Sequence, residues 1–228
     1  MFTKKLIGLV AMLTIGSAHA AIISDNTVSG SITNTFEGLG AGAVSGLIVQ
    51  TGATYGERLQ GQTLSVASSF DTLSGTPTAP LTVLANAVVN DNIGILSYTG
   101  SNRIYGDLNA TVGEGAVSIL FATPTDLLGF DVVGTNDGGL TVDFFGSAGN
   151  LLGSLSQLSI SDTFYGFRAT AGEQIAAVSI TNTDPGGIAY DNFTFNASAV
   201  APVSVPGSLP LIGVGLAALG GALRRKQS

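Results

Sequence analysis

Between residues 44 and 196 apolar side chains recur at every second position in short runs, each bounded by Gly, Asn or Asp. A period of two puts one face of an extended segment into a core and the other into solvent, so the pattern predicts strands. They are expected at 44–50, 63–70, 81–89, 93–98, 102–108, 116–121, 127–133, 140–145, 151–158, 164–170, 174–182 and 188–196. No segment carries a helical stripe. Residues 140–155 read as a β-hairpin around Gly146-Ser147-Ala148-Gly149-Asn150. Asn136-Asp137-Gly138-Gly139 and Asp184-Pro185-Gly186-Gly187 supply the residues that tight turns need. The predicted fold is an all-β antiparallel sandwich, with residues 21–196 as one domain and 197–204 as an extended linker. The stretch 76–80, with two prolines in five residues, is too short to divide that domain and reads as a loop.

The two ends break this pattern. Lys4-Lys5, an apolar run from Leu6 to Ile15 and Ala18-His19-Ala20 form the three parts of a secretory signal peptide, cleaved after Ala20. At the other end Val205-Pro206-Gly207-Ser208 leads into an apolar run from Leu209 to Leu223, followed by Arg224-Arg225-Lys226. As a helix the run would cover about 22 Å, against a hydrocarbon core of about 30 Å. Pro210 and the glycines at 213, 215, 220 and 221 weaken it further. Cationic residues beside a short apolar segment stay on the cytoplasmic side, so the body is expected outside. A short-lived tether and a permanent anchor both fit this hydropathy.

The tail resembles the PEP-CTERM sorting signal over residues 202–228. It departs where the usual motif reads Val-Pro-Glu-Pro, since Gly207 and Ser208 stand in the last two places. The resemblance implies passage through the secretion translocon and recognition by an exosortase-type membrane protease or transpeptidase. That partner would cut near Pro206 and release the body to the surface of a polysaccharide-producing bacterium. The cutting chemistry would be the partner's, with this chain as its substrate.

Composition narrows what the body can do. The chain has 15 Asp+Glu, all between the two end segments, where Arg58, Arg103 and Arg168 are the only cations. Such a surface repels phosphate backbones and argues against a nucleic-acid partner. The single histidine, His19, lies in the signal peptide and there is no cysteine, so Ser-His-Asp, Cys-His and His-ligated zinc sites are excluded from the body. An exported domain without disulfides is held by its core or by metal ions, and calcium suits carboxylates and carbonyls.

Two sets of residues point to a site. In Ile188-Ala189-Tyr190-Asp191-Asn192-Phe193-Thr194-Phe195, strict alternation places Asp191 on one face with Phe193 and Phe195, where a carboxylate needs a partner. The segment resembles the last strand of jelly-roll carbohydrate-binding and lectin-like domains, and Phe36-Glu37-Gly38 resembles their early acidic position. The resemblance implies a structural calcium shared by Glu37 and Asp191 if both ends of the chain pair in one sheet. For sugar recognition, Tyr105 beside Arg103 offers an aromatic face and a donor, with Tyr55, Tyr98, Tyr165 and Tyr190 as further aromatics. Nothing singles out a pair of opposed carboxylates, so catalysis is not expected. The sequence thus predicts an exported, non-catalytic envelope or matrix protein. The alternatives are a calcium-stabilised carbohydrate-binding module for exopolysaccharide and a secreted glycan-cleaving enzyme.

Overall fold

The computed structural model describes residues 22–136 and 138–197. The expected signal peptide, the linker beyond Ala197 and the sorting segment from Val205 to Lys226 lie outside the described residues, as does Asp137. Strands run as β1 (Ile22–Ser24), β2 (Ile32–Asn34), β3 (Gly42–Ala43), β4 (Ile48–Gln50), β5 (Ala53–Gly56), β6 (Arg58–Leu59), β7 (Thr63–Ala67), β8 (Phe70–Ser74), β9 (Val83–Leu84) and β10 (Ile93–Tyr98). They continue as β11 (Ser101–Leu108), β12 (Thr111–Gly115), β13 (Val117–Thr125), β14 (Leu127–Val133), β15 (Leu140–Phe145), β16 (Leu151–Gln157), β17 (Thr163–Ala169), β18 (Ile175–Asn182) and β19 (Ala189–Phe195). A single 3-10 turn at Val89–Asp91 is the only helical element among the described residues.

The expected all-β antiparallel sandwich is what forms. One nine-stranded sheet has the order β1-β17-β14-β19-β11-β10-β3, with β2 on β19 and β12 on β11; a six-stranded sheet has the order β16-β15-β18-β13-β5-β4. From β13 onward the chain passes back and forth between the sheets, apart from the β15–β16 hairpin. The sheets meet through their alternate apolar positions: Ile93, Ile95, Ile104, Leu128, Phe130, Val132 and Phe167 on one side, Tyr55, Val117, Ile119, Phe144, Val178 and Ile180 on the other. At the centre Phe193 touches Phe36, Tyr55, Phe130 and Tyr190, at ring-centroid distances of 5.9, 5.4, 5.2 and 6.3 Å.

The outer faces of the two sheets differ. Residues 57–84 fold over the smaller sheet, where Leu59 and Val83 join Phe145 and Ala177 in a second apolar cluster. Polar anchors fix this cover: Ser118 Oγ donates to the Glu57 carbonyl at 3.2 Å, and Ser179 Oγ donates to Gln62 Oε1 at 3.0 Å. Over the larger sheet, the neighbourhood of Arg103 stays open as two adjoining grooves.

Several strand boundaries depart from the alternation. The stretch 63–70 is a hairpin, because Ser68 and Ser69 take positive φ (52° and 70°) and turn the chain into β8. Only Val83–Leu84 forms from 81–89, and 44–50 becomes strand at Ile48. The short strands β1, β2, β3, β5, β6 and β12 escaped notice because runs of two to five residues carry too little periodicity.

Truncating a side chain at the junction of both sheets removes apolar contact and leaves a cavity. Phe193→Ala is expected to lower unfolding free energy by about 3–5 kcal/mol in urea denaturation. Leu158→Ala, at a position 93% exposed, should stay within about 0.5 kcal/mol of the parent.

Candidate functional site

The last strand carries one residue more than its partner. Along β14 and β19 the register runs from Gly129↔Thr194 to Asp131↔Asp191, so three steps in β19 oppose two in β14. Asn192 absorbs the extra residue with φ of 50°, a left-handed conformation that Asn tolerates better than most. The bulge breaks the alternation. Tyr190 and Phe193, three apart, both enter the core, while Asp191 and Asn192 both line the groove on the outer face. The expectation that Asp191 shares a face with Phe193 and Phe195 is therefore corrected.

The two expected acidic residues do come together. Strand β2 pairs with the second half of β19 (Asn34↔Phe193, Ile32↔Phe195), so the chain leaving β2 delivers Glu37 to the start of β11. There Glu37 Oε1 accepts from the Asn102 backbone N–H at 3.1 Å and lies 2.9 Å from Ser101 Oγ, which lies 2.9 Å from Asp191 Oδ2 as well. One hydroxyl proton cannot satisfy both carboxylates at once. Burial pushes the Asp191 carboxyl above its usual range, against the opposing pull of the Asn192 N–H, Ser101 and Arg103.

A calcium ion does not fit between these carboxylates without rearrangement. Ser101 Oγ already stands between them, and the Arg103 Nε, 4.0 Å from Asp191 Oδ2, supplies positive charge that a cation would have to displace. Among the described residues no three His, Cys, Asp or Glu side chains are placed to hold a metal ion together. The arrangement is a hydrogen-bonded clamp joining the early segment to β11 and β19.

Arg103 is the centre of the open face. Opposite Leu96 in the β10–β11 register, it lies between Asp191 on β19 and the ring of Tyr98, whose centroid is 5.3 Å from the guanidinium carbon. Its side chain is only 12% exposed, yet Nε and Nη1 are buried without a hydrogen-bond partner. On one side lies a groove of about 260 Å³ lined by Leu96, Tyr98, Val112, Val133 and Ile188; on the other, one of about 220 Å³ lined by Asp131, Asp162, Asp191 and Asn192. Asn192 Nδ2 donates to Asp131 Oδ2 at 2.7 Å, and Asp162 Oδ1 accepts from the Gly134 and Thr135 N–H groups at 3.0 and 2.9 Å. The Asp131 Oδ1 and Asp162 Oδ2 oxygens stand outside these bonds. Beside these carboxylates and the exposed Tyr98 ring, Arg103 lines both grooves, with Nη2 3.5 Å from Thr99 Oγ1 and its other two nitrogens buried.

Of the two residues expected to contact sugar, Arg103 lines both grooves and Tyr105 lines neither. Tyr105 is 4% exposed, and its ring lies against Gly94, where a Cβ would stand 2.3 Å from the ring, so it offers no face to a ligand. Tyr98, at 56% exposure, is the aromatic ring that stands beside Arg103. Asp131, Asp162, Ser101 and Asn192 carried no distinguishing sequence signal. Alternation does aim Asp131 away from Phe130 and Val132, but only the fold brings it beside Arg103. No protein-family model matches this chain, and no curated protein matches it either.

The two N–H groups that Asp162 accepts favour its charged form, with the Thr135 N–H the largest influence, so its carboxyl lies below the usual carboxylate range. A lowered folded value contributes stability above the unfolded value of about 4, and that contribution is lost as pH falls through the folded value. Asp162→Asn should therefore lower the urea midpoint at pH 7, with the difference from the parent shrinking towards pH 2.

Proposed function

We propose that this chain is an exported, non-catalytic envelope or extracellular-matrix protein whose β-sandwich body holds glycan through the face around Arg103. One observation carries the binding part: the buried, unpartnered Nε and Nη1 of Arg103, set between an exposed tyrosine ring and acidic acceptors. Leaving charged donors unsatisfied is costly unless a ligand completes them. A sugar offers what this face lacks, with hydroxyl oxygens for the guanidinium, hydroxyl protons for Asp131 and Asp162, and a ring face for Tyr98.

The export part rests on the ends of the chain. A basic start, short apolar core and Ala-His-Ala motif support secretion, and the Val205-Pro206 stretch with its apolar run and Arg224-Arg225-Lys226 supports sorting by an exosortase-type partner. Exopolysaccharide is the glycan that such a destination offers. Mass spectrometry of the surface-fraction protein is expected to find termini at Ala21 and near Pro206. Finding Arg224 to Ser228 intact would replace the sorting reading by a permanent anchor.

Retention on extracted exopolysaccharide tests the binding part. Arg103→Ala is expected to weaken it by about 10-fold or more, as for loss of charged hydrogen bonds. Tyr98→Ala, at a position 56% exposed, should weaken it about 3- to 10-fold. A folded parent that is not retained would leave a purely structural role.

A further inference from the structure

Three polar side chains meet beneath the cover of the smaller sheet. Gln62 is 8% exposed, Ser179 2% and Ser118 0%. Each serine alternates with core residues, Ser118 between Val117 and Ile119 and Ser179 between Val178 and Ile180, so both hydroxyls point to the covered outer face. The two serines are direct partners in the β13–β18 register, and their oxygens lie 2.9 Å apart. Gln62 reaches them from the cover, 117 positions away from Ser179 in the chain, and its Oε1 accepts the Ser179 hydroxyl at 3.0 Å.

The same amide oxygen accepts the Leu59 backbone N–H at 2.9 Å. That bond settles which end of the Gln62 amide is oxygen, and it draws electron density from Cδ as an oxyanion donor does. On the other side of Ser179, β15 places Asp143 directly opposite in the register and on the same face, at the cross-strand spacing of about 4.5–5.5 Å between Cβ atoms. A hydroxyl nucleophile, an amide carbon, a donor on the amide oxygen and a carboxylate beside the nucleophile are the parts of an acyl transfer.

We propose that Ser179 and Gln62 become joined by an ester bond inside the folded domain. Ser179 Oγ attacks Gln62 Cδ and gives its proton to Asp143, while the charge that gathers on Oε1 is held by the Leu59 N–H. The Cδ–Nε2 bond then breaks, Asp143 hands the proton to the leaving nitrogen, and ammonia departs. One C–O bond replaces one C–N bond, nothing is oxidised or reduced, and no co-reactant is consumed. The step from hydrogen bond to attack is short, because the last torsion of Gln is broad and turns Cδ towards Oγ. Burial protects the product from hydrolysis. The bond ties residues 57–84 to the main sandwich across more than a hundred residues, the service a disulfide gives in exported domains that have cysteine. It is independent of the glycan face.

The test is mass spectrometry of the full chain, folded and then denatured. Expulsion of ammonia by the attacking hydroxyl should leave it about 17 Da lighter than the same chain with its Gln62 amide intact. Trypsin cuts after Arg58, Arg103 and Arg168, so the peptide from Leu59 to Arg103 and the one beginning at Ala169 should appear as one linked species. Hydroxylamine, which cleaves esters and spares amides, should part them. Ser179→Ala should keep the full amide mass and yield the two peptides separately. Asp143→Asn should form the link about 100-fold more slowly, as for loss of a general base. A folded parent of unreduced mass overturns the proposal. So does a loss of ammonia that persists in Ser179→Ala, since the nitrogen would then have left from another site. An Asp143→Asn chain that links as fast as the parent overturns the part given to Asp143.

Discussion

One extra residue in the last strand is the constraint on which the rest of the structure depends. Without the bulge at Asp191-Asn192, β19 could not send both Tyr190 and Phe193 into the core, and one of the aromatic rings that join the sheets would face solvent. The same bulge turns Asp191 and Asn192 outward together, where one holds Ser101 and faces Arg103 and the other holds Asp131. Core closure and the polar face are therefore consequences of a single local irregularity. A left-handed residue costs about 1–2 kcal/mol, which the ~1.5–3 kcal/mol of burying one large apolar side chain offsets.

Fold class and the long strands were legible because period-two alternation is strong over six residues or more: 127–133 and 140–145 match β14 and β15 residue for residue. The meeting of Glu37 with Asp191 was also readable from the expected pairing of the chain's two ends. What alternation could not reveal was its own interruption. The bulge made the side assigned to Asp191 wrong, and paired serines at positive φ made one expected strand a hairpin. In both places the backbone takes conformations that residue type permits without demanding.

The site was only half legible for a related reason. Arg103 was picked out as one of three cations in an acidic body, a compositional signal that survives folding. Which tyrosine stands beside it is a matter of register: Tyr98 pairs with Ser101 at the end of the β10–β11 hairpin and projects, while Tyr105 faces Gly94 and is covered. The buried acids Glu57, Asp71 and Asp107 are spread over fifty residues with no motif spacing. Only the fold shows that Glu57 is buried and that Arg58 pairs with it.

The uncovered outer face of the larger sheet, with Arg103 as its unsatisfied centre, is the claim that joins fold to function. Titrating the isotope-labelled protein with oligosaccharides from the exopolysaccharide proposed as its ligand and following amide resonances tests this directly. The account predicts saturable shifts concentrated at Tyr98, Arg103, Asp131, Gly134, Thr163 and Asn192, with those on the covered face of the smaller sheet unmoved. Shifts confined to the exposed edge at Leu47 to Val49, or around Leu158, would contradict it.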